Sequence, residues 1–282
     1  MMFPIGLSTC GAAINESLFA DYARAGISKM EISSNKEDYD LLDFPTAKAL
    51  SARYGVEIWS FHLPFMPFSE IDLSALDETM RRNTVSLCAE LIRRASEIGI
   101  RRFIAHASGE PIRDGDRAAR MAQAKKSLRE LAEIAAARDA VICVEDLPRT
   151  CLGRTSAEIL ELLSADDRLR VCCDTNHLLS ENLPDFIRRV GDRIETLHVS
   201  DYDGVDEKHW LPGEGILDWQ AVLAALREIN YRGPWLYEMG LATPKTITRE
   251  RELTRADFVR NAKELFARQK PTVFVQKQGD RE

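Results

Sequence analysis

The sequence predicts a single α/β domain in which eight strands alternate with helices and close into a parallel (β/α)8 barrel. Short apolar runs alternate with longer segments of helical period along the whole chain. Within each run most successive positions are apolar, as expected for parallel strands that are buried on both faces. The turn after the first run, STCGAAINES, has no G-x-G-x-x-G pattern, which opposes an open doubly wound sheet. A chain of 282 residues is also typical of this barrel architecture.

The apolar runs mark the predicted strands, and in chain order they read FPIGLST, KMEISS, VEIWSFH, RRFIAHA, AVICVED, RVCCDT, IETLHVS and PWLYEM. Helical period is clearest in SLFADYARAG, residues 73–98, residues 116–138, SAEILELLS, LPDFIRRV, DWQAVLAALREI and residues 249–267. Asp218 is predicted to cap the helix of DWQAVLAALREI. Four glycines lie where a left-handed residue commonly ends a helix: Gly26, Gly55, Gly99 and Gly233.

No stretch rich in proline, glycine or serine divides the chain, so residues 1–282 are predicted to form one domain. A short C-terminal extension begins at about residue 270 and contains a β-like piece at residues 272–275. The sequence leaves open whether this extension packs on the barrel, contacts a partner subunit of a homo-oligomer or is loosely held.

Composition and the chain start bear on location and partners. The six cysteines include no C-x-x-C pair and three lie inside predicted strands, which favours buried, reduced thiols. No signal peptide is recognisable, and no window approaches the roughly eighteen apolar residues of a membrane span. We therefore expect a cytoplasmic protein without a membrane partner. The formal charge of -7 gives no basic footprint for a nucleic-acid partner.

Histidines and carboxylates recur where the apolar runs end. All five histidines are placed at or just beyond such ends: His62, His106, His177, His198 and His209. Strands five to eight end, in this order, at Glu145, Asp174, His198 and Glu238. Because the C-terminal ends of barrel strands converge on one mouth, where active sites of this architecture are built, we expect these four side chains to meet.

Three carboxylates and one imidazole in one place predict a metal site. This ligand set suits Mn²⁺, Mg²⁺, Co²⁺ or Zn²⁺, and without a cation the like charges would repel each other. Taken singly, a glutamate after a strand is more often a helix cap or an ion-pair partner, and a strand-end histidine is more often structural. Their occurrence on adjacent strands favours one divalent metal ion as the cofactor.

Other candidates lie around this centre. His62 and His106 would line the opposite side of the mouth. His177, in DTNH, would bind a second metal ion or a substrate hydroxyl, or would cap its own loop. His209 and Trp210 lie in HWLPGEG, which would approach a ligand or form a surface turn, and Trp210 would stack on a sugar or fill the core.

Arg149, in EDLPRTCLGRT, is a candidate for binding an anionic group of a substrate, and so is the nearby Arg154. The alternative for both is a solvated surface position.

The ordered set FHLPF, VED, DTNH, LHVSD, HWLPGEG and YEM resembles the xylose-isomerase-like barrel superfamily, and most of all its sugar phosphate isomerase/epimerase branch. By this resemblance, one metal ion would be held by Glu145, Asp174, His198 and Glu238. The resemblance also implies that the two glutamates act as acid and base on opposite faces of the substrate. His177 would help to hold the oxygens of the substrate.

The chemistry is consistent with those roles. A cation that polarises a carbonyl and its neighbouring hydroxyl acidifies the α C–H, and a carboxylate in reach removes the proton. Return of a proton to the other face gives an epimer, and return to the neighbouring carbon gives an aldose–ketose isomer. We therefore predict a metal-dependent isomerase or epimerase that acts on a small sugar or sugar phosphate.

The same motifs are also similar to the endonuclease-IV type AP endonucleases, which share the barrel. Their zinc ligands would fall at His62, His106, Glu145, Asp174, His177, His198, His209 and Glu238. The ninth ligand position holds Glu207 in place of aspartate, and Ala107 stands where these enzymes usually have proline. Such an endonuclease with a multinuclear zinc site is one alternative. A dehydratase or lyase with the same enolate chemistry, or a barrel that binds a sugar without turnover, is another.

Overall fold

The computed structural model of the protein describes residues 3–276. Each predicted apolar run contains one strand: β1 Ile5–Ser8, β2 Lys29–Ile32, β3 Glu57–His62, β4 Arg102–Ala105, β5 Val141–Glu145, β6 Arg170–Asp174, β7 Ile194–His198 and β8 Trp235–Tyr237. The strands pair in parallel in the order β7-β6-β5-β4-β3-β2-β1-β8.

The ring closes just beyond the end of β7. There the Val199 amide donates to the Leu236 carbonyl at 2.8 Å, and the Glu238 amide donates to the Val199 carbonyl at 3.3 Å. The predicted (β/α)8 barrel is therefore confirmed, with the eight strand ends gathered at one mouth.

Helices connect successive strands on the outside of the barrel: α1 Glu16–Ala25, α2 Phe44–Tyr54, α3 Glu78–Glu97, α4 Arg117–Ala136, α5 Ser156–Leu163, α6 Leu183–Val190, α7 Trp219–Glu228 and α8 Arg255–Phe266. Short 3-10 helices precede α2 and α4 and follow α6. α3 and α8 begin later than the periodicity predicts, because Asp77 and Thr254 cap their first turns.

The helix α2 ends at Gly55, one of the predicted helix-ending glycines, but its segment has no clear helical period in the sequence. It follows Asp43, whose side chain accepts the Thr46 amide at 3.0 Å. Its buried residues are Phe44, Ala47 and Leu50. An apolar stripe this short gives little helical period, so the segment is hard to recognise from sequence.

The apolar core has two parts. The main cluster fills the space between strands and helices. A small separate cluster consists of Ile104, Cys143 and Cys172. Because alternate strand residues share a face, Cys143 points the same way as Glu145, and Cys172 the same way as Asp174. These residues therefore form an apolar floor inside the barrel, below its mouth. All six cysteines are free, and all but Cys10 are buried.

Three of the four predicted helix-ending glycines have the expected left-handed backbone: Gly26, Gly55 and Gly99. The prediction for Gly233 is wrong, because the left-handed residue after α7 is Asn230, with φ of 59°. Gly233 is required for another reason. A Cβ atom there would lie 2.7 Å from the carbonyl oxygen of Glu195 and would collide with the ring of Tyr231.

The described part of the C-terminal extension packs on its own chain. Val275 forms an antiparallel bridge with Arg249, and the Glu250 amide donates to the Phe274 carbonyl at 2.8 Å. Beneath this bridge, Arg249 and Glu214 form a fully buried ion pair at 2.7 Å. Of the alternatives that the sequence left open, the structure therefore favours packing on the barrel for residues up to 276.

Among the helices in residues 3–276, none combines the length and apolarity needed to cross a bilayer.

Gly233→Ala is expected to lower the free energy of unfolding by about 1–3 kcal/mol, because the added methyl group overpacks a closed contact. Urea unfolding followed by circular dichroism measures the effect. Gly115→Ala is the matched control, since nothing lies within 4 Å of a Cβ atom at that position. Equal stabilities of the two variants would contradict the packing role assigned to Gly233.

Candidate active site

Four side chains from adjacent strands meet at the mouth of the barrel. Glu145, Asp174 and His198 are the last residues of β5, β6 and β7, and Glu238 directly follows β8. Each offers one possible ligand atom, and the four atoms lie within 4.8 Å of one another. The fold thus brings together the four residues that the sequence predicts as metal ligands.

His198 lies at the centre of this four-residue cluster. Its Nδ1 atom is 2.9 Å from Glu145 Oε1, 3.4 Å from Glu238 Oε2 and 3.8 Å from Asp174 Oδ2. Three of the four side chains are fully buried, and Glu238 keeps 15% exposure. One ring nitrogen therefore faces three carboxylates in a region that water hardly reaches.

Burial and charge shift the protonation of this cluster. Burial raises the pKa of Asp174 well above its usual range, and the charges of Glu238 and Glu145 act in the same direction. Burial disfavours the charged imidazole, yet the carboxylates around the ring raise the pKa of His198 well above its ordinary value. Both groups therefore tend to hold protons, which offset the negative charge collected here.

The cluster fits a divalent metal ion. Asp174 Oδ1 accepts the Asn176 amide at 2.7 Å, but Oδ2 of the same carboxylate is buried without a hydrogen-bond partner. Such an atom is costly unless something binds it. An ion among the four ligand atoms would satisfy it, and three oxygens with one imidazole nitrogen are a suitable donor set for Mn²⁺, Mg²⁺, Co²⁺ or Zn²⁺.

Sequence reasoning missed Glu31 on β2, which is fully buried. One of its carboxylate oxygens, Oε2, lies 3.1 Å from His198 Nε2 and accepts the Ser60 hydroxyl at 2.7 Å. The available signal was a charged residue inside the apolar run KMEISS, since charged side chains are rarely buried without a partner.

His62 and His106 border the cluster on the β3 and β4 side. Their Nε2 atoms lie 3.2 Å and 3.0 Å from Glu145 Oε2, and with Glu145 they form a second possible ligand group. Burial acts to lower the pKa of both rings. For His62 the hydrogen bond to Glu145 outweighs burial, and its pKa is raised above the ordinary value. The pKa of His106 remains below it. Both rings line the cavity at the mouth.

A third possible ligand group consists of His177, Glu207 and His209. His177 Nε2 lies 3.1 Å from Glu207 Oε2, and His177 Nδ1 donates to the Asp146 carbonyl at 2.8 Å. Although burial opposes it, contacts with His177 and Arg149 hold the pKa of Glu207 at about 2. His209 lies in the long loop after β7, within the segment HWLPGEG.

The three groups border a cavity of about 530 Å³. Its apolar wall comes from Phe65, Met66, Phe68, Leu147 and Met239. A site that is mostly apolar, with a few converging polar groups, is typical of small-molecule binding.

Arg149 lines this cavity, but its guanidinium is already paired. Its Nε donates to Glu110 at 3.0 Å, and its Nη1 donates to Asp206 and Glu207, each at 2.9 Å. Arg149 therefore ties three loops together across the mouth. Arg154 makes no contribution to the cavity wall, and its Nε lies 3.8 Å from Glu158.

Trp210 does not reach the cavity, so its predicted stacking on a sugar is not what the structure shows. Its backbone pairs with Asp201, and its indole donates to the Thr246 hydroxyl at 3.0 Å. The antiparallel pairing turns this side chain away from the mouth while His209, one residue earlier, points into it.

The chain is similar in sequence to a known barrel family and to a curated enzyme. A family model described as a xylose isomerase-like TIM barrel matches residues 19–258. A curated relative, the D-psicose 3-epimerase of Enterocloster bolteae, is 32% identical over 149 residues. That match covers 51% of this chain and 46% of the relative, so it spans about half of the relative's length.

Solved structures have the same fold. The structure of a D-tagatose 3-epimerase-like protein superposes with a TM-score of 0.73 at 24% identity, covering 83% of this chain and 89% of the other. A D-psicose 3-epimerase crystallised in the presence of D-fructose gives a TM-score of 0.72 at 20% identity, covering 85% and 86%.

Asp174→Asn is expected to remove most of the thermal stabilisation that Mn²⁺ confers, because the cluster loses an anionic ligand. Wild-type protein should gain about 2.7 kcal/mol at a metal concentration a hundred times Kd. Without metal, the variant should be at least as stable as wild type, since asparagine is uncharged and burial disfavours the ionised form of Asp174. Scanning calorimetry with and without Mn²⁺ measures both effects.

The control for this experiment is Asp40→Asn, whose side chain is 95% exposed. A full Mn²⁺-induced shift of Tm in Asp174→Asn would remove Asp174 from the ligand set.

Proposed function

The chain belongs to the xylose isomerase-like TIM barrel family, and from this premise we propose that it is a divalent-metal-dependent sugar epimerase or isomerase. One observation carries the proposal: Glu145 and Glu238 both border the cavity and both belong to the cluster that fits a metal ion. Their carboxylates are thereby placed beside any sugar oxygen that the same ion would bind.

The bound metal would supply Lewis acidity, which lowers the pKa of a C–H bond next to the sugar carbonyl. The chain itself moves the proton. Burial opposes ionisation of Glu145, but His198 and His106 hold its pKa well below the usual range, so this residue is a carboxylate at neutral pH. We assign to Glu145 the removal of the proton from carbon, and to Glu238 the delivery of a proton to the opposite face.

The surrounding residues would orient the substrate. His177, His209, His62 and His106 offer ring nitrogens around the cavity, where they can bind hydroxyl groups. The apolar wall formed by Phe65 and its neighbours would exclude water from the reacting carbon.

Epimerisation is the favoured outcome within this proposal. The curated relative is named a D-psicose 3-epimerase, and so is a second one from Ruminiclostridium cellulolyticum. In this proposal Glu145 and Glu238 act on opposite faces of the sugar, which suits inversion at one carbon better than proton transfer along one face. We therefore propose 3-epimerisation of a ketose as the reaction.

The charges at the mouth favour a neutral sugar over a sugar phosphate. The sequence made Arg149 a candidate for an anionic group, but three carboxylates already accept its hydrogen bonds. Glu110, Glu207 and Glu238 add negative charge to the cavity wall. To reach Arg149, a phosphate group would have to displace Glu110, Asp206 or Glu207.

A cytoplasmic location remains a prediction, to which the free cysteines of the structure lend support. Homo-oligomerisation likewise remains a prediction.

A second candidate function is an AP endonuclease with three zinc ions. The observation that favours it is that two groups of possible ligands border the cavity beside the four-residue cluster, one with His62 and His106 and one with His177 and His209. Glu207, which departs from the expected aspartate, still reaches His177 at 3.1 Å. The two functions differ in the number of metal ions that they require, one against three.

Glu145→Gln and Glu238→Gln are each expected to lower the rate of solvent-deuterium incorporation at C3 of D-psicose or D-fructose by roughly 10²–10⁴-fold, since general acid–base catalysis contributes about this much. Proton NMR of the sugar in D2O measures the exchange. Glu161→Gln, on an exposed position of α5, is the matched control.

Exchange at the wild-type rate in either variant would remove that glutamate from the acid–base role. If the wild-type protein leaves every ketose unchanged and instead incises a duplex with one abasic site, the second candidate function replaces the first.

A further inference from the structure

Glu31 lies on the side of His198 that is opposite to the four-residue cluster. The Nδ1 atom of His198 faces the cluster, while Nε2 is 3.1 Å from Oε2 of Glu31 and 3.0 Å from its Oε1. Both side chains are completely buried. The imidazole is thus held between a carboxylate on one side and the candidate metal ligands on the other.

This contact crosses the barrel interior. Glu31 is on β2 and His198 is the last residue of β7, and these strands are separated in the barrel by β8 and β1. The hydroxyl of Ser60, on the neighbouring strand β3, donates to Glu31 Oε2 at 2.7 Å and fixes the carboxylate. Two elements distant from β7 therefore determine how the ring of His198 is oriented.

Burying a carboxylate such as Glu31 is unfavourable unless neighbouring groups compensate its charge. Removing a carboxylate from water costs several kcal/mol, and an apolar residue would fill the barrel at lower cost. The Ser60 hydroxyl satisfies only part of this demand, and Oε1 of Glu31 accepts no well-directed hydrogen bond. The imidazole N–H of His198 is the partner that compensates the charge.

The contact with Glu31 determines which nitrogen of His198 is free to bind metal. An ionised carboxylate only accepts hydrogen bonds, so Nε2 must carry the hydrogen that points to Glu31. Nδ1 faces the cluster, where it would give up any proton and offer its lone pair to a bound metal ion. A carboxylate that binds the second nitrogen of a ligating histidine orients the ring and makes it a stronger ligand.

Building on the metal site of the proposed function, we propose that Glu31 is a positioning residue, which fixes the tautomer and orientation of His198 and thereby sets the affinity of the site for a divalent ion. Glu31 is not among the residues that line the cavity, so we assign it no contact with substrate. Its effect is exerted through His198 alone.

The test uses metal binding by the full-length protein, without any sugar. Titration with Mn²⁺, with free Mn²⁺ measured by its electron paramagnetic resonance signal, gives Kd for wild type, Glu31→Gln and Glu31→Ala. We expect Kd to rise about 10–100-fold, with the larger rise in Glu31→Ala. Glu31→Gln is nearly isosteric and can still accept a hydrogen bond, so it keeps the fold testable.

Asp257→Asn is the control for general destabilisation. Asp257 is also buried, but it caps α8 and pairs with Arg251, away from the mouth. This variant should lose thermal stability while keeping the wild-type Kd for Mn²⁺. A loss of metal affinity as large as that of Glu31→Gln would mean that lost stability, not ring position, is the cause.

A second readout reports the tautomer directly. In protein labelled with ¹⁵N-histidine and loaded with Zn²⁺, His198 should show a metal-bound Nδ1 and a slowly exchanging Nε2–H, assigned by its absence in His198→Asn. Glu31→Ala should lose the slow exchange of this Nε2–H. An unchanged His198 spectrum in that variant would overturn the proposal.

The possible failures are distinguishable. If wild type binds Mn²⁺ and both Glu31 variants bind it equally well, the role of Glu31 fails and the proposed function stands. If Kd depends on Glu31 but no ketose undergoes exchange, the proposed reaction fails and the positioning role stands. If wild type binds no divalent ion, both fail.

Discussion

Three carboxylates buried around one imidazole are the constraint on which the rest of this structure depends. Glu145, Asp174 and Glu238 are brought within reach of His198 by four strands whose ends the barrel geometry fixes. The floor beneath them is apolar, so little water screens their charges. Such a cluster is stable only with a compensating positive charge, which protons supply in part and a divalent ion would supply in full.

Farther out at the mouth, a single guanidinium faces three carboxylates. Arg149 is paired with Glu110, Asp206 and Glu207, and Glu207 in turn contacts His177. Carboxylates therefore outnumber cationic side chains both at this rim and in the four-residue cluster. This distribution suits a cation at the centre and a neutral polyol above it, and it explains why a nearby arginine does not by itself indicate a phosphate subsite.

The sequence predicted those features that the barrel architecture imposes. Parallel strands have one functional end, so the residues that terminate β5 to β8 could be expected to meet. Glu31 escaped notice because the strand-end rule does not consider residues within a strand. Trp210 and Arg149 were placed on residue type alone, whereas backbone pairing with Asp201 and ion pairs across loops determine where they point. Gly233 is required by the packing of Tyr231 and Glu195, which sequence spacing does not reveal.

The proposed function requires one divalent ion at the ends of four neighbouring strands. Anomalous diffraction at the manganese absorption edge, from crystals grown with Mn²⁺, both locates and counts such ions. We expect one peak, within bonding distance of Glu145, Asp174, His198 and Glu238. Separate peaks at all three possible ligand groups, or a peak that these four residues do not share, would contradict the proposed function.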